Sequence, residues 1–485
     1  MRTLVIDVGT SGIRAAIVND DATVSDLVHE RFTPSSPAPG LVEFSADDMW
    51  DAVLRVATAA AGGIRVDAVG ITNQRASAVG WRRSTGRSIG PAIGWQDLRT
   101  VGDCITTRIE HGIGLAPNQS ATKIAWLLGN CVPADERGSD DILFGTVDSW
   151  LAWKLSGGTA HVTDPTNAAV TGMSLPDGTG WDRRVLDALG IGAHQLPSVV
   201  PTSGVICDAR SLPGEPPLAA LVGDQQASLV GQGCITPGSA KITFGTGGML
   251  DMYVGTERPA AASRSRAATF PIVAYSTGQE HHFGVEAVML SAGTNIEWLR
   301  DDMGLIENAE DSDAVAASVP STDGVVYVPA LLGLGTPHWD YGARGTLLGI
   351  TRGTTRAHIV RAVLEGIAHR GVDLIDAAEA DSGLRITTVH VDGGMSRNKT
   401  FVQALADASG RPVSVSPVTE ATTLGAGLLA GCAVGQWADL PAAVSRVAGF
   451  GTVSPLGEPG IPRQQWDEAV SRARSWIPDL SSLDF

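Results

Sequence analysis

Apolar and polar positions alternate from the first residues. Thr3 to Val8 reads as a strand, Gly9-Thr10-Ser11-Gly12 as a turn and Arg14 to Val18 as a second strand, so the chain opens on a β-hairpin with a Gly-rich tip. After Ser45 the spacing becomes that of an amphipathic helix, with Ser45 as N-cap and Met49, Trp50, Val53, Leu54 and Ala57 on one face. Val66 to Thr72 and Ala78 to Arg82 return to the strand pattern. Near the middle the opening unit recurs: Lys241 to Phe244 is a strand, Gly245-Thr246-Gly247-Gly248 a turn, and Met249 to Val254 a strand. Further on, Val325 to Leu331 predicts a strand. Arg356 to Ala380 predicts a long helix with Ile359, Val363, Leu364, Ile367, Leu374 and Ile375 inward, and Thr388 to Val391 a strand ending in Asp392-Gly393-Gly394. Strands and helices interleaved in this way predict an α/β fold, and the repeat predicts two similar lobes, each presenting a Gly/Thr loop. Gly and Pro cluster at Gly231 to Pro237, which places the lobe boundary there and divides 1–234 from 235–485.

Composition narrows the class. The 485 residues are 43% apolar and 18% charged, enough for large cores and unlike a disordered chain. A formal charge of −17 argues against a general binder of nucleic acid or anionic membrane, both of which need a basic surface. It leaves room for one nucleotide, because loop N–H groups act locally. Cys104, Cys131, Cys207, Cys234 and Cys432 are dispersed and form no CxxC pair, which reads as reduced thiols rather than a disulfide or zinc framework. Leu4 to Ile6 runs straight into Asp7, unlike a secretory leader, and Leu424 to Val434 is too short and Gly-rich to span a bilayer. The expectation is a soluble cytoplasmic protein; the oligomeric state stays open, a homo-oligomer included.

Four short motifs carry candidate chemistry. In Asp7-Val8-Gly9-Thr10-Ser11-Gly12-Ile13-Arg14, the glycines let backbone approach phosphate oxygens, Thr10 and Ser11 add hydroxyl donors, Arg14 adds positive charge, and Asp7 is placed to hold Mg²⁺. The same residues also suit an ordinary hairpin turn. Gly245-Thr246-Gly247-Gly248 is equally short, but one such loop from each lobe is what a clamped phosphate chain needs. Asp392-Gly393-Gly394 and Asn398, between a strand and a helix, suit a flat base lying on backbone with Asn398 free to bond it; a plain helix-opening turn is the alternative. Gly223-Asp224-Gln225-Gln226 follows the apolar run Leu218 to Val222. A carboxylate there suits a general base for a hydroxyl, and it equally suits a residue that opens the next helix.

Together these motifs resemble the FGGY carbohydrate kinases, most closely their glycerol kinase branch. The resemblance runs from Thr3 to about residue 470 and includes Gly70-Ile71-Thr72-Asn73-Gln74-Arg75, Leu143-Phe144-Gly145-Thr146-Val147-Asp148, His161-Val162-Thr163-Asp164, Gly223-Asp224-Gln225-Gln226 and Gly333-Leu334-Gly335-Thr336-Pro337. It implies two RNase H-like, actin-like lobes with a cleft between them, ATP and Mg²⁺ as cofactors, and a small polyol or sugar as phosphoryl acceptor. By position it implies Thr10, Ser11, Gly12 and Arg14 as first-lobe phosphate contacts, and Thr246, Gly293, Gly394 and Asn398 as second-lobe nucleotide contacts. Asp7 matches the metal-associated carboxylate and Asp224 the general base. Arg75, Ala76, Trp95, Asn118, Asp224 and Gln225 fall at acceptor-pocket positions.

The acceptor pocket departs from the glycerol-kinase pattern. That branch usually reads Asn-Gln-Arg-Glu where this chain has Asn73-Gln74-Arg75-Ala76, and has a Tyr where this chain has Asn118. Losing a carboxylate that accepts from a hydroxyl costs about 1–3 kcal/mol for that ligand. The expectation is therefore an acceptor larger than glycerol, of four or five carbons, with glycerol itself or a xylulose-type ketose as alternatives. An actin-like ATPase that phosphorylates no sugar is the rival from another class. It has little use for Arg75, Trp95 and Asp224-Gln225 together.

Overall fold

The computed structural model describes residues 1–260, 264–278, 280–417 and 420–482. The opening hairpin forms where the alternation puts it. Strands β1 (Arg2–Val8) and β2 (Gly12–Asn19) pair antiparallel with Val8 opposite Ile13, and β3 (Val24–Arg31) extends β2. Strand β4 (Ala68–Asn73) runs parallel to β1; after β5 (Ser203–Asp208), β6 (Pro217–Gly223) runs parallel to β4. The first lobe thus has the strand order β3-β2-β1-β4-β6.

The second half repeats the plan. Strands β7 (Ala240–Phe244) and β8 (Gly248–Gly255) form the second hairpin, and β9 (Phe270–Thr277) and β10 (Glu280–Met289) follow, with β10 antiparallel to β8. Strands β11 (Val389–Asp392) and β12 (Val413–Val415) are parallel additions beside β7, and β13 (Gly451–Val453) closes the edge. The order β10-β8-β7-β11-β12 repeats the first lobe strand for strand and direction for direction. The two sheets touch through one residue pair, Ser203 with Thr277.

Helices cover the sheets. Helix α1 (Ala46–Ala61) starts where Ser45 accepts from the Asp48 N–H at 3.1 Å, and it buries Met49, Trp50, Val53 and Ala57 on the first lobe. Helix α2 (Asp224–Gly231) leaves β6, and α3 (Thr294–Asp301) follows β10. The long α4 (Arg356–Ser382) and α5 (Lys399–Ser409) pack on the second lobe, whose core joins Ile242, Phe244, Val363, Ile367 and Phe401. The apolar run near residue 430 is α6 (Ala421–Ala433), a buried helix. It returns to the first lobe and shares a core with Val5, Val18, Val222 and Leu229, so the two halves of the chain interlock. Its glycines make this contact possible: a Cβ on Gly425 would lie 1.8 Å from the Ala227 carbonyl, and one on Gly231 would lie 2.0 Å from that of Ala421.

One predicted strand is shorter than its pattern. Val325 to Leu331 forms a ladder only over Val326–Val328, because Pro329 has no N–H to continue it. Among the described residues no helix is long and apolar enough to cross a membrane, and all five cysteines are unpaired.

Candidate active site

Three parallel strands of the first lobe end side by side. Val8 stands opposite Asn73, and Asn73 opposite Gly223, so the chain leaves β1, β4 and β6 at one edge, carrying Asp7, Arg75 and Asp224 there. Ligands of open α/β sheets bind outside the carboxyl ends of such strands. A buried amide network fixes the strand ends. Asn73 and Asn167 bond each other's side chains at 3.0 and 3.3 Å, and Thr166 Oγ1 accepts from the Gly223 N–H at 2.8 Å. Asp164, buried beneath, accepts from Thr202 and from the N–H groups of Thr166 and Asn167. The family-like stretch ending in Asp164 is therefore scaffolding for the site.

Asp224 is the first residue of α2. Its Oδ1 accepts from the Gln225 N–H at 2.8 Å, and Arg75 Nε lies 3.8 Å away. Its side chain keeps 28% exposure, so one face stays open to a ligand. Burial raises its pKa above the ordinary 3.8, against the pull of Arg75, the Gln225 N–H and Lys241. Gln225 Oε1 accepts from Lys241 Nζ at 2.6 Å, which leaves its amide NH₂ end for a ligand.

Arg75, its side chain only 10% exposed, reaches across to the second lobe. Its Nη2 donates to Glu286 Oε2 at 2.6 Å, while Nη1 is buried with no partner among the described residues. Burial alone would lower its pKa, but Glu286, Asp224 and Asp251 raise it, so the charge is secure. Ala76 is buried at φ 61°, and its carbonyl accepts from Ser120 Oγ at 3.1 Å. Trp95 is exposed, and its indole N–H donates to Thr10 Oγ1 at 3.1 Å, which ties an acceptor-side residue to the phosphate-loop candidate. Beneath it, Lys123 donates to the Trp95 carbonyl at 2.9 Å. Asn118 is exposed in the turn before the helix Ala121–Cys131, and among the described residues no hydrogen bond holds it to the other site residues.

The first Gly/Thr loop is closed by a Gly9 N–H to Gly12 carbonyl bond of 3.0 Å, with Ser11 exposed at its tip. A Cβ on Gly12 would meet His29 Nε2 at 2.4 Å, so a side chain there would require the imidazole to move. Asp7 is buried at the root. Arg14 Nη1 lies 3.4 Å from its Oδ2, and Arg14 Nε lies 3.4 Å from Glu420. Burial pushes the Asp7 carboxyl up to about 7, Arg14 offsets this, and Asp224 and Glu420 add to it. Two carboxylates, Asp7 and Glu420, share the Arg14 guanidinium, so one negative charge is left over that a hard cation would relieve.

On the second lobe, Phe244 leads into Gly245–Gly248, and Thr246 is exposed at the loop tip. The Thr246 carbonyl accepts from the Ala292 N–H at 2.9 Å, and the Gly245 carbonyl from the Gly293 N–H at 2.9 Å. Gly293 precedes α3, and a Cβ there would stand 2.6 Å from the Gly245 carbonyl, so loop and helix start form one unit. Gly394 is exposed and open above its Cα. Asn398 differs from the sequence expectation of a free amide. Its Oδ1 caps α5 through the Phe401 N–H at 2.8 Å, and its Nδ2 donates to Ser312 at 3.0 Å. An Asn directly before a helix is a cap signal that the sequence already carried.

Sequence reasoning passed over Lys241, Asp251 and Glu286. Each is a charge inside an apolar strand, which is the signal that could have found them. Lys241 and Asp251 form a wholly buried pair at 2.7 Å.

Two duplicated lobes, a glycine loop from each, and a carboxylate beside a guanidinium at converging strand ends fit an actin-like phosphotransferase acting on an alcohol. The comparisons agree. Residues 2–231 match the FGGY family of carbohydrate kinases, N-terminal domain, and residues 240–434 its C-terminal domain. The chain belongs to the FGGY family of carbohydrate kinases. It is 41% identical to a glycerol kinase of Trichlorobacter lovleyi, covering 98% of this chain and 99% of that one, and 40% identical to one of Rhodopirellula baltica over 99% and 92%. Among solved structures, Plasmodium falciparum glycerol kinase with ADP superposes with a TM-score of 0.90 at 25% identity, over 97% and 98% of the two chains. A ligand-bound xylulose kinase of Lactobacillus acidophilus gives 0.80 at 20% over 99% and 97%, a likeness of fold.

Proposed function

We propose that this protein transfers the γ-phosphoryl group of ATP to a hydroxyl of glycerol. The observation that carries the reading is Arg75 and Asp224, 3.8 Å apart at converging strand ends, in a chain about 40% identical to glycerol kinases over nearly its full length. Arg75 orients the acceptor through its unpartnered Nη1. Asp224 accepts the hydroxyl proton as the new O–P bond forms and the bond to ADP breaks. Phosphoryl transfer needs alignment and charge neutralisation more than covalent help. Thr10, Ser11 and Arg14 on one lobe, and the exposed Thr246 tip of the Gly245–Gly248 loop, braced by Gly293, on the other, hold the phosphates, and Gly394 with the spare N–H of Asn398 borders the nucleoside. Asp7 fits a Mg²⁺ held through water; when bound, the ion neutralises charge on the β- and γ-phosphates.

The expectation of an acceptor larger than glycerol gains no support from the relatives, which are named glycerol kinases. One observation still favours it as a second reading: buried Ala76 and exposed Asn118 leave the acceptor side without the usual carboxylate and ring. A coupled ADP assay over three- to six-carbon polyols and ketoses separates the two. Glycerol is expected to give the highest kcat/KM; preference for a four- or five-carbon compound would establish the second reading.

The pH dependence follows from the raised carboxyls. Asp224 must be ionised to accept a proton, and its pKa lies above 3.8, so kcat/KM is lost as pH falls through that raised value. Glu286, pushed up to about 6 by burial despite Arg75, must also be ionised to hold that guanidinium. The acid limb is therefore expected well above 3.8. A limb at 3.8 or below would show that neither group governs the reaction.

A further inference from the structure

The acceptor-side guanidinium is built from both lobes. On the second lobe three charged residues stand directly opposite one another on adjacent strands: Lys241 on β7 faces Asp251 on β8, and Asp251 faces Glu286 on β10. Residues so paired share one face of the sheet. The two carboxylates are neighbours, an arrangement that repels in a buried row, and Lys241 answers only one of them, Asp251, at 2.7 Å. The second lobe thus presents one unbalanced buried negative charge. Arg75, which belongs to the first lobe, balances it through the 2.6 Å bond to Glu286.

The rest of the Arg75 side chain is guided to the same place. Its stem lies over Gly223, where a Cβ would come within 2.7 Å of Arg75 Cδ, and Met249 Sδ of β8 lies 3.9 Å from Nη2. With Nη2 taken by Glu286 and Nε turned to Asp224, the buried Nη1 is the donor left over.

We infer that Glu286 is a positioning residue for the acceptor: from the second lobe it fixes Arg75 so that Nη1 faces the acceptor hydroxyls. The inference rests on the function proposed above and adds a residue to it. It makes acceptor affinity depend on contact between the lobes, so acceptor and nucleotide sites are set by a common geometry.

The test is a double-mutant cycle on the full chain, with glycerol KM, ATP KM and kcat measured for wild type, E286Q, R75A and E286Q/R75A, and ADP affinity by calorimetry. Glu286→Gln is expected to raise the glycerol KM about tenfold or more, the scale of a charged hydrogen bond, with ATP KM and ADP affinity within about twofold. In the Arg75→Ala background it should add nothing, because Glu286 acts through Arg75. Glu286→Asp keeps the charge but shortens the reach, and is expected to fall between wild type and E286Q. Should E286Q not fold, E286D carries the test by the same split between acceptor KM and ADP affinity. A glycerol KM unchanged in E286Q or E286D, or effects of E286Q and R75A that multiply in the double variant, would overturn the inference. Failure of the underlying function looks different: wild type itself would then release no acceptor-dependent ADP.

Discussion

Asp224→Asn lowers kcat by roughly two to four orders of magnitude while leaving ADP affinity close to that of wild type, the range expected when a positioned general base is removed. The argument is local. Asn keeps the size of the side chain and can still accept from the Gln225 N–H, so the start of α2 survives. What it lacks is the capacity to take a proton. Burial has already raised the Asp224 pKa from its ordinary value, which makes the carboxylate a better proton acceptor than a solvated one. Steady-state kcat with saturating glycerol and ATP, alongside calorimetric ADP binding, checks both halves of the statement.

Arg75→Ala is expected to be costly twice over. It removes a charged donor from the acceptor, worth roughly 10- to 150-fold in kcat/KM by the energy of such bonds. It also strands Glu286, which is buried beside Asp251 and has Arg75 as its cation at 2.6 Å. Breaking a buried pair from one side typically costs about 3–5 kcal/mol of stability, because the partner charge stays behind. Denaturant unfolding of the variant should therefore show a clear loss. That loss should shrink in E286Q/R75A, where both members are gone. A variant as stable as wild type would mean that the pair is solvated in the folded protein.

The lobes were readable from sequence because each opens on the same local signal, alternating strands around a Gly/Thr turn. The site was readable only in part. Asp7 lies near the end of an apolar strand, and Arg75 and Asp224 just beyond the ends of two others, where a polar residue stands out. Glu286 also interrupts an apolar strand, but its partner is 211 residues away on the other lobe, and period-two patterning says which face a residue takes without saying what it meets there. Lys241 and Asp251 face each other across a single hairpin, so their pairing is local. The Asn398 amide went to the start of α5, where capping competes with ligand binding for the same oxygen. Near residue 329 the strand pattern continued on paper while proline ended the ladder. The return of α6 to the first lobe is tertiary packing between glycine-lined helices, which local periodicity does not encode.

The central claim is geometric, and a crystal structure of the protein with ADP and glycerol tests it most directly. A glycerol hydroxyl within about 2.6–3.2 Å of the Asp224 carboxylate, on the side facing the Gly245–Gly248 loop, is the predicted result. Glycerol seated with no hydroxyl near Asp224, or with Asp224 turned away from the nucleotide, would contradict the account.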